Sequence, residues 1–409
     1  MSKGSGVNMT HNLNSCNICG GKFETILNLA SKEIYGMGKN YIQNVCICNN
    51  CGFIFTQNPF FSELLDNRYK LNSKFEFDDD ECIHEDSTSY KNRCKRQYNF
   101  ICENIDNNFS GIVEIGSASG YNLSLYTNKK RYGIEPSALN CKLAKSRYNV
   151  DMFAGTYDEY QEYISKNNCK NAYDLVFLSH TLEHIVNPCT FIQNCVDSFD
   201  NKYFFVEVPC FDIKFEDEPF GMFCEEHVNY FTLEALENLF LKVGFSLVEA
   251  EYFYDYEGKY PAAFPSICTL FEKKEPIFPY KRPIISSKTA LEMYIESSKN
   301  RMSYVCEKID SIPDSEKLVV WGTGHLTSML LANTSLDQKS IVKYYDSDIR
   351  KKGTEYNGRL ITPFDLNDIE EKNIDSVLIG SYVYQQEIFN LLEPYKDKIK
   401  IYKLFDIAK

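Results

Sequence analysis

Apolar residues along the chain fall into two alternating rhythms: short unbroken runs, and longer stretches with a helical repeat. The runs are Ile112–Ile115, Tyr132–Glu135, Asp151–Phe153, Asp174–Leu178 and Tyr203–Val208, followed later by Leu318–Trp321, Tyr344–Tyr345 and Val377–Ile379. Runs of this length, rich in β-branched and aromatic residues, predict strands buried on both faces of a parallel sheet. Between them Leu139–Tyr148 has a helical repeat. Thr232, with Glu234 and Glu237 close behind, opens another helix that runs to Val243 and ends at Gly244. The alternation predicts an α/β protein with two Rossmann-like sheets. Ser266–Phe271 is expected as an antiparallel edge strand closing the first sheet, and Thr289–Ile309 as a long helix preceding the second. Upstream, Phe60–Tyr69 and Tyr90–Ile105 are expected as helices, with the acidic run Asp78–Glu81 a solvated loop. Tyr90–Ile105 carries Lys91, Arg93, Lys95 and Arg96 on one face, which suits a helix covering the sheet edge; a lid over a cofactor is the alternative.

Composition narrows the class. At 409 residues the chain exceeds one ordinary core. The expected divisions are a small metal-binding domain at 12–56, a central domain at 57–272, a linker and long helix at 273–309, and a C-terminal domain at 310–409. The proline-rich Glu275–Pro283 marks the linker. Net charge is −13 without a basic stripe, which argues against nucleic acid as a partner. No run is long enough to span a bilayer, and Met1–Asn14 lacks the apolar core of a signal peptide, so a cytoplasmic protein is expected. A monomer and a homodimer fit equally well.

The chemistry begins where the first run ends. Ile112-Val113-Glu114-Ile115-Gly116-Ser117-Ala118-Ser119-Gly120 turns from a buried strand into a helix N-terminus, and Gly116 and Gly120 permit a tight turn. Glu135 ends the next strand, twenty-one residues after Glu114. An acid at that tip suits the two hydroxyls of a ribose. Ala118 stands where a dinucleotide fingerprint has Gly, so the loop suits a cofactor without a pyrophosphate. S-adenosylmethionine (SAM) is the expected cofactor, with a nicotinamide or a purely structural turn as alternatives. Candidate contacts are Glu114, Gly116, Ser117, Ala118, Gly120, Glu135, Thr156 at the adenine and Ser179 at the rim. The second strand-turn-helix, Gly322-Thr323-Gly324-His325-Leu326-Thr327, lacks a third Gly and is expected to hold substrate or make dimer contacts.

Cysteine usage adds a metal. Five of the 16 cysteines crowd near the N-terminus, and the eleven from Cys82 to Cys306 are scattered, as core residues are. Cys16-Asn17-Ile18-Cys19 and Cys48-Asn49-Asn50-Cys51 are paired knuckles, a pattern that closes four thiolates around structural zinc. Two unrelated reduced pairs are the alternative. Cys46 is the odd one, expected to face away from Cys48.

Three of the six histidines, His180, His184 and His227, fall at the carboxyl rim of the predicted sheet. Two of them, His184 and His227, lie near acids able to fix an imidazole tautomer. Taken together, the two knuckles, VEIGxxxG, TLEHI, the ExP at Glu207–Pro209, EHVNYF and the second Rossmann-like unit resemble the sugar C-methyltransferases of bacterial deoxysugar pathways. That family has an N-terminal zinc-binding domain, a central SAM domain and a C-terminal α/β domain. The resemblance implies a SAM-dependent C-methyltransferase acting on a nucleotide-linked keto-deoxysugar. It further implies His227 as base beside Glu226, and His184 as donor to the developing oxyanion. The chain departs from the family at Cys224, where the family commonly has Tyr. An O- or N-methyltransferase on a related sugar, and a non-catalytic SAM-fold binding protein, are the competing readings.

Overall fold

A computed structural model describes residues 13–33, 40–59, 87–105, 109–167, 172–215, 217–254, 265–274 and 285–406. The helix expected at Phe60–Tyr69, the acidic run Asp78–Glu81 and the linker Glu275–Pro283 lie outside them. The described strands form three sheets.

The first begins with β1 (Phe23–Ser31), β2 (Tyr41–Cys48) and β3 (Ile54–Thr56), paired antiparallel in that order. The central sheet contains β4 (Gly111–Ile115), β5 (Lys130–Glu135), β6 (Met152–Ala154), β7 (Leu175–Ser179) and β8 (Tyr203–Pro209), all parallel. Every residue of β4 and β8 is buried, which is why these runs lack alternation. The chain then leaves this sheet for two residues: β9 (Asn229–Tyr230) pairs with β3 and completes the first sheet as β1-β2-β3-β9. β10 (Phe245–Tyr254) and β11 (Pro265–Lys273) return to the central one, whose order is β10-β11-β8-β7-β4-β5-β6.

Here one expectation is corrected. β11 is antiparallel but interior, lying between β8 and β10, and is buried from Pro265 to Phe271; the edge is β10, which after Phe245 is half-buried or exposed throughout. The helix Thr88–Asn104 also differs from expectation. It packs Phe100 and Ile101 against Ile112, Phe177 and Phe205, so it covers the middle of one sheet face and not its edge.

The other face of the central sheet packs Val113, Leu178 and Val206 into one cluster with Ile18, Phe53 and Phe55 from the first sheet and its knuckles. The last sheet, after the helix Ile285–Asp310, comprises β12 (Leu318–Trp321), β13 (Ile341–Tyr345), β14 (Glu355–Tyr356), β15 (Arg359–Thr362), β16 (Ser376–Ile379) and β17 (Lys400–Lys403). Its order, β14-β15-β13-β12-β16-β17, places the reversal of strand order at β12. β1 docks on its helix His325–Asn333: Ser328 Oγ donates to the Lys32 carbonyl at 2.6 Å, and Asn333 Nδ2 to the Ala30 carbonyl at 2.7 Å. No helix among the described residues is long and apolar enough to cross a membrane.

Candidate active site

The turn after β4 is built as its sequence requires. Gly116 and Gly120 have φ of +80° and +76°. A Cβ on Gly116 would sit 2.6 Å from Thr181 Oγ1, and one on Gly120 2.8 Å from the Ala144 Cβ, so packing as well as φ demands glycine at both. Ala118 also adopts a left-handed φ, +45°, despite its side chain. Its N–H donates to the Glu135 carboxylate at 2.9 Å; the other Glu135 oxygen accepts from the Ser137 N–H at 3.1 Å and Asn140 Nδ2 at 3.3 Å. Burial pushes the Glu135 carboxyl up, opposed by these bonds. Glu114 accepts from Asn122 Nδ2 at 3.1 Å through one oxygen, while its Oε2 is buried without a hydrogen-bond partner; burial carries this carboxyl up to about 8.

Glu114, Gly116, Ser117, Ala118, Gly120 and Glu135 are thus brought together, but not all by side chain. Ser117 turns its hydroxyl inward, donating to the Glu114 carbonyl and accepting from the Ile134 N–H. Thr156, after the neighbouring β6, caps the helix Tyr157–Lys166 in a reciprocal arrangement with Glu159. Ser179 accepts from Gln97 Nε2 at 2.8 Å. These three hydroxyls are committed to the protein.

The rim after β7 gathers the ionisable groups. His180, at φ +49°, lies with Nδ1 3.4 Å from Glu183 and Nε2 3.5 Å from Glu207. Burial alone would lower this imidazole, yet the two carboxylates carry it up to about 9. Glu207 also accepts from Arg96 at 2.6 Å, Gln97 at 2.7 Å and the Cys268 thiol at 2.9 Å. Burial opposes its ionisation, but His180 and Arg96 hold it well below the usual carboxylate range. The acid that ends β8 is therefore spent on anchoring the helix Thr88–Asn104.

A single turn, Leu182–His184, follows. His184 Nδ1 lies 3.0 Å from the Glu226 carbonyl, so Nδ1 must carry the proton and donate. Its ring meets that of His227 edge to face, centroids 5.0 Å apart. Burial, then the charge of His184, lowers the His227 imidazole to about 4, so it is neutral near pH 7. Glu226 reaches this pair through its backbone carbonyl. The carboxylate gathered with both imidazoles, all three within 4.8 Å, is Glu183, to which sequence reasoning assigned no role.

Backbone bonds lock the two segments together. The Val228 N–H donates to the Glu183 carbonyl at 2.9 Å, and Asn229 Nδ2 to the carbonyls of Leu182 (3.1 Å) and Ile185 (2.6 Å). The first sheet holds the same loop from behind. Tyr230 Oη donates to the His227 carbonyl at 2.8 Å and accepts from Gln43 Nε2 at 2.8 Å; the Thr56 N–H donates to the Val228 carbonyl at 2.9 Å. On its other side Glu225 pairs with His325 Nδ1 at 3.0 Å. His325 opens a cleft of about 730 Å³ at the carboxyl end of β12, shared with Thr323, Asp346, Lys351 and Ser381. Within it Asp346 is already engaged by the Thr323 N–H and hydroxyl and by Lys351.

The sulfurs of Cys16, Cys19, Cys48 and Cys51 lie within 4.8 Å of one another, with Cys16–Cys51 at 3.6 Å and Cys19–Cys48 at 3.4 Å. Ligands of a tetrahedral zinc–thiolate site are about 3.8 Å apart, so the group fits that metal. The Gly21 N–H points at the Cys19 sulfur and the Asn50 N–H at Cys48, each at 3.4 Å, as in a knuckle that supports thiolates. Asn17 ties the first knuckle to the rim, donating to the Val186 carbonyl at 2.6 Å. Cys46 is corrected: residues two apart on a strand share a face, and both Cys46 and Cys48 are buried in the same cluster. It stays out of the thiol group because its sulfur meets Thr25 Oγ1 at 3.3 Å.

Residues 87–250 match the methyltransferase domain family, and 314–402 match a family described as C2185-like, N-terminal. No curated protein sequence matches the chain. Among solved structures it is similar to the N-methyltransferase NodS of Bradyrhizobium japonicum bound to S-adenosyl-L-homocysteine. That match has 15% identity and TM-score 0.38, and covers 51% of this chain and 100% of that one. It is also similar to magnesium protoporphyrin IX methyltransferase of Synechocystis PCC 6803, at 12% identity and TM-score 0.37, covering 52% and 99%. The central sheet, its glycine turn and the domain matched across them define a methyltransferase of the class I Rossmann-like plan. Residues 87–250 are a methyltransferase domain, and the chain is a methyltransferase enzyme.

Proposed function

We propose that the enzyme methylates carbon, at the position beside the ketone of a nucleotide-linked keto-deoxysugar. The observation that carries this reading is the convergence of His184, His227 and Glu183 beside the glycine turn, to which the rim is joined by Thr181 donating to the Ile115 carbonyl at 3.0 Å. A C–H next to a carbonyl yields to a base near neutral pH only if the enolate is stabilised as it forms. His227, kept neutral by its surroundings, is suited to take that proton. His184 is anchored at Nδ1 by the Glu226 carbonyl, which leaves Nε2 as its reacting edge. With a proton there, supported by the nearby Glu183, it donates to the enolate oxygen. SAM, when bound, supplies the electrophilic methyl, and the C–S bond breaks as the new C–C bond forms.

The residues placed for the cofactor are the backbone of Gly116, Ser117, Ala118 and Gly120, with Glu135 for the ribose hydroxyls. The unpartnered Glu114 oxygen suits an ammonium group, and Thr156 and Ser179 flank the site through their backbone. The four cysteines hold a structural zinc in this reading, and the C-terminal cleft holds the distal part of the substrate. The division at 12–56, 57–272, 273–309 and 310–409 belongs to the same proposal.

The test uses S-adenosyl-L-homocysteine in place of SAM. In deuterated water the enzyme should exchange the hydrogen beside the ketone, and His227→Ala should lose that exchange by about two to four orders of magnitude. Survival of both exchange and methylation in that variant puts the base elsewhere. Cys224, standing where the resembling family commonly has Tyr, is the departure that bears on the reaction. The second reading is transfer to oxygen or nitrogen, with His227 deprotonating a hydroxyl or amine. A new C–O or C–N bond in the product would establish it.

A further inference from the structure

The same rim holds a feature that proton transfer alone does not account for. Glu183 is 1% exposed, and neither of its oxygens has a hydrogen-bond partner. A buried carboxylate left so is costly, by about 1–3 kcal/mol or more for a charged group. The groups facing it are imidazoles: His180 Nδ1 at 3.4 Å on one side, His184 Nε2 at 3.9 Å on the other, and His227 beyond. His180 is shared with Glu207, whose remaining charge is met by Arg96. The interval between Glu183 and His184 is too long for a hydrogen bond. Because His184 donates through Nδ1 to the Glu226 carbonyl, the neutral ring turns a lone pair at Nε2 toward that interval. A backbone carbonyl on the far nitrogen is the usual orienting partner of a metal-bound histidine. Two nitrogen or oxygen ligands at about 2.0–2.1 Å from a tetrahedral ion stand roughly 3.4 Å apart, a spacing reached here by a small side-chain rotation.

We propose that Glu183, His184 and His227 form a binding site for a divalent transition-metal cation such as Zn²⁺, distinct from the four-cysteine group, and that its occupancy silences the enzyme. Two imidazoles and one carboxylate are the donor set for such an ion, and too few thiolates are present to favour a softer one. A cation there takes the lone pair that His227 needs as a base, and replaces the proton that His184 would donate. The binding half of this inference stands by itself; the silencing half rests on the proposed proton abstraction.

Equilibrium dialysis of the full chain against buffered Zn²⁺ in the micromolar range tests it. About two equivalents should bind the wild type, and about one should bind Glu183→Gln and His184→Ala. The equivalent they retain, on the cysteines, reports that they fold. Cobalt substitution separates the sites, since only the thiolate site gives intense sulfur-to-metal absorption, and the second should appear as weak visible bands lost in both variants. One equivalent in the wild type, or two in the variants, overturns the site. Loading the second equivalent should slow hydrogen exchange at least tenfold, reversed by a mild chelator. Exchange undiminished at two equivalents overturns the silencing. An enzyme that binds two equivalents but never exchanges refutes the proposed reaction and leaves the metal site standing.

Discussion

Ala118 and Glu135 show how much of the cofactor turn depends on one carboxylate. A left-handed φ at a residue with a side chain costs about 1–2 kcal/mol, and the bond from the Ala118 N–H to Glu135 offsets part of that. Glu135→Ala should therefore do two things at once, removing the proposed ribose partner and loosening the turn. SAM affinity measured by calorimetry should fall about ten- to hundredfold, with Glu135→Gln in between because it still accepts one bond. Unchanged affinity in both would remove Glu135 from the site. The acids and glycines here were readable in the sequence because their conformational demands are local. The fate of Ser179 was not, since its partner Gln97 lies on another element 82 residues away. Glu183 escaped notice for a related reason: inside His180-Thr181-Leu182-Glu183-His184 nothing periodic says which side chain a single tight turn will bury.

At the scale of elements, β9 matters beyond its two residues. It is the point where the first sheet reaches into the loop that carries His227, through Tyr230 to the His227 carbonyl. Tyr230→Phe leaves the ring packed but removes the hydroxyl's bonds to the His227 carbonyl, Gln43 and Thr56, while Gln43 keeps its own bond to Thr56 Oγ1 at 3.1 Å. The expected loss of stability is about 1–2 kcal/mol. If the bond positions His227, kcat should also fall several-fold while the KM for SAM is unchanged; a change confined to thermal stability would make it a packing residue only. The parallel strands of the central sheet were legible in the apolar runs, as were the helices Ala138–Tyr148, Leu233–Lys242 and Ile285–Asp310; the parallel strands β15 and β17 and the helices Tyr157–Lys166 and Pro188–Phe199 were not. β9 was not, because two residues carry no period, and β11 was taken for an edge because β10, rich in Tyr and Glu, reads as polar.

Across the whole molecule the joint to watch is Glu225–His325, which ties the loop carrying His227 to the last sheet. Burial works against the His325 cation, but Glu225 and Glu218 raise it to about 9 from an ordinary value of 6.5. A histidine raised in this way contributes stability that is complete below about pH 6.5 and is lost as pH rises through about 9. The difference in thermal midpoint between wild type and His325→Gln should therefore shrink across that window. It corresponds to at most on the order of 3 kcal/mol. His180 titrates over the same range, so only the difference between the two proteins is diagnostic. Sequence reasoning missed this joint because its partners are 100 residues apart and neither belongs to a motif that demands the other.

The borrowed strand also fixes an order of events during synthesis. β1, β2 and β3 leave the ribosome early with the β3 edge bare, and the strand that covers it follows about 170 residues later. At about 5–20 residues per second that is a wait of roughly 10–30 seconds, during which an open edge invites mispairing. The first-made sheet must therefore hold its shape alone, which gives the four-cysteine group a task that precedes any chemistry. Closing that edge seats His227 beside His184 in the same step, so the two imidazoles meet only once β3 has captured β9.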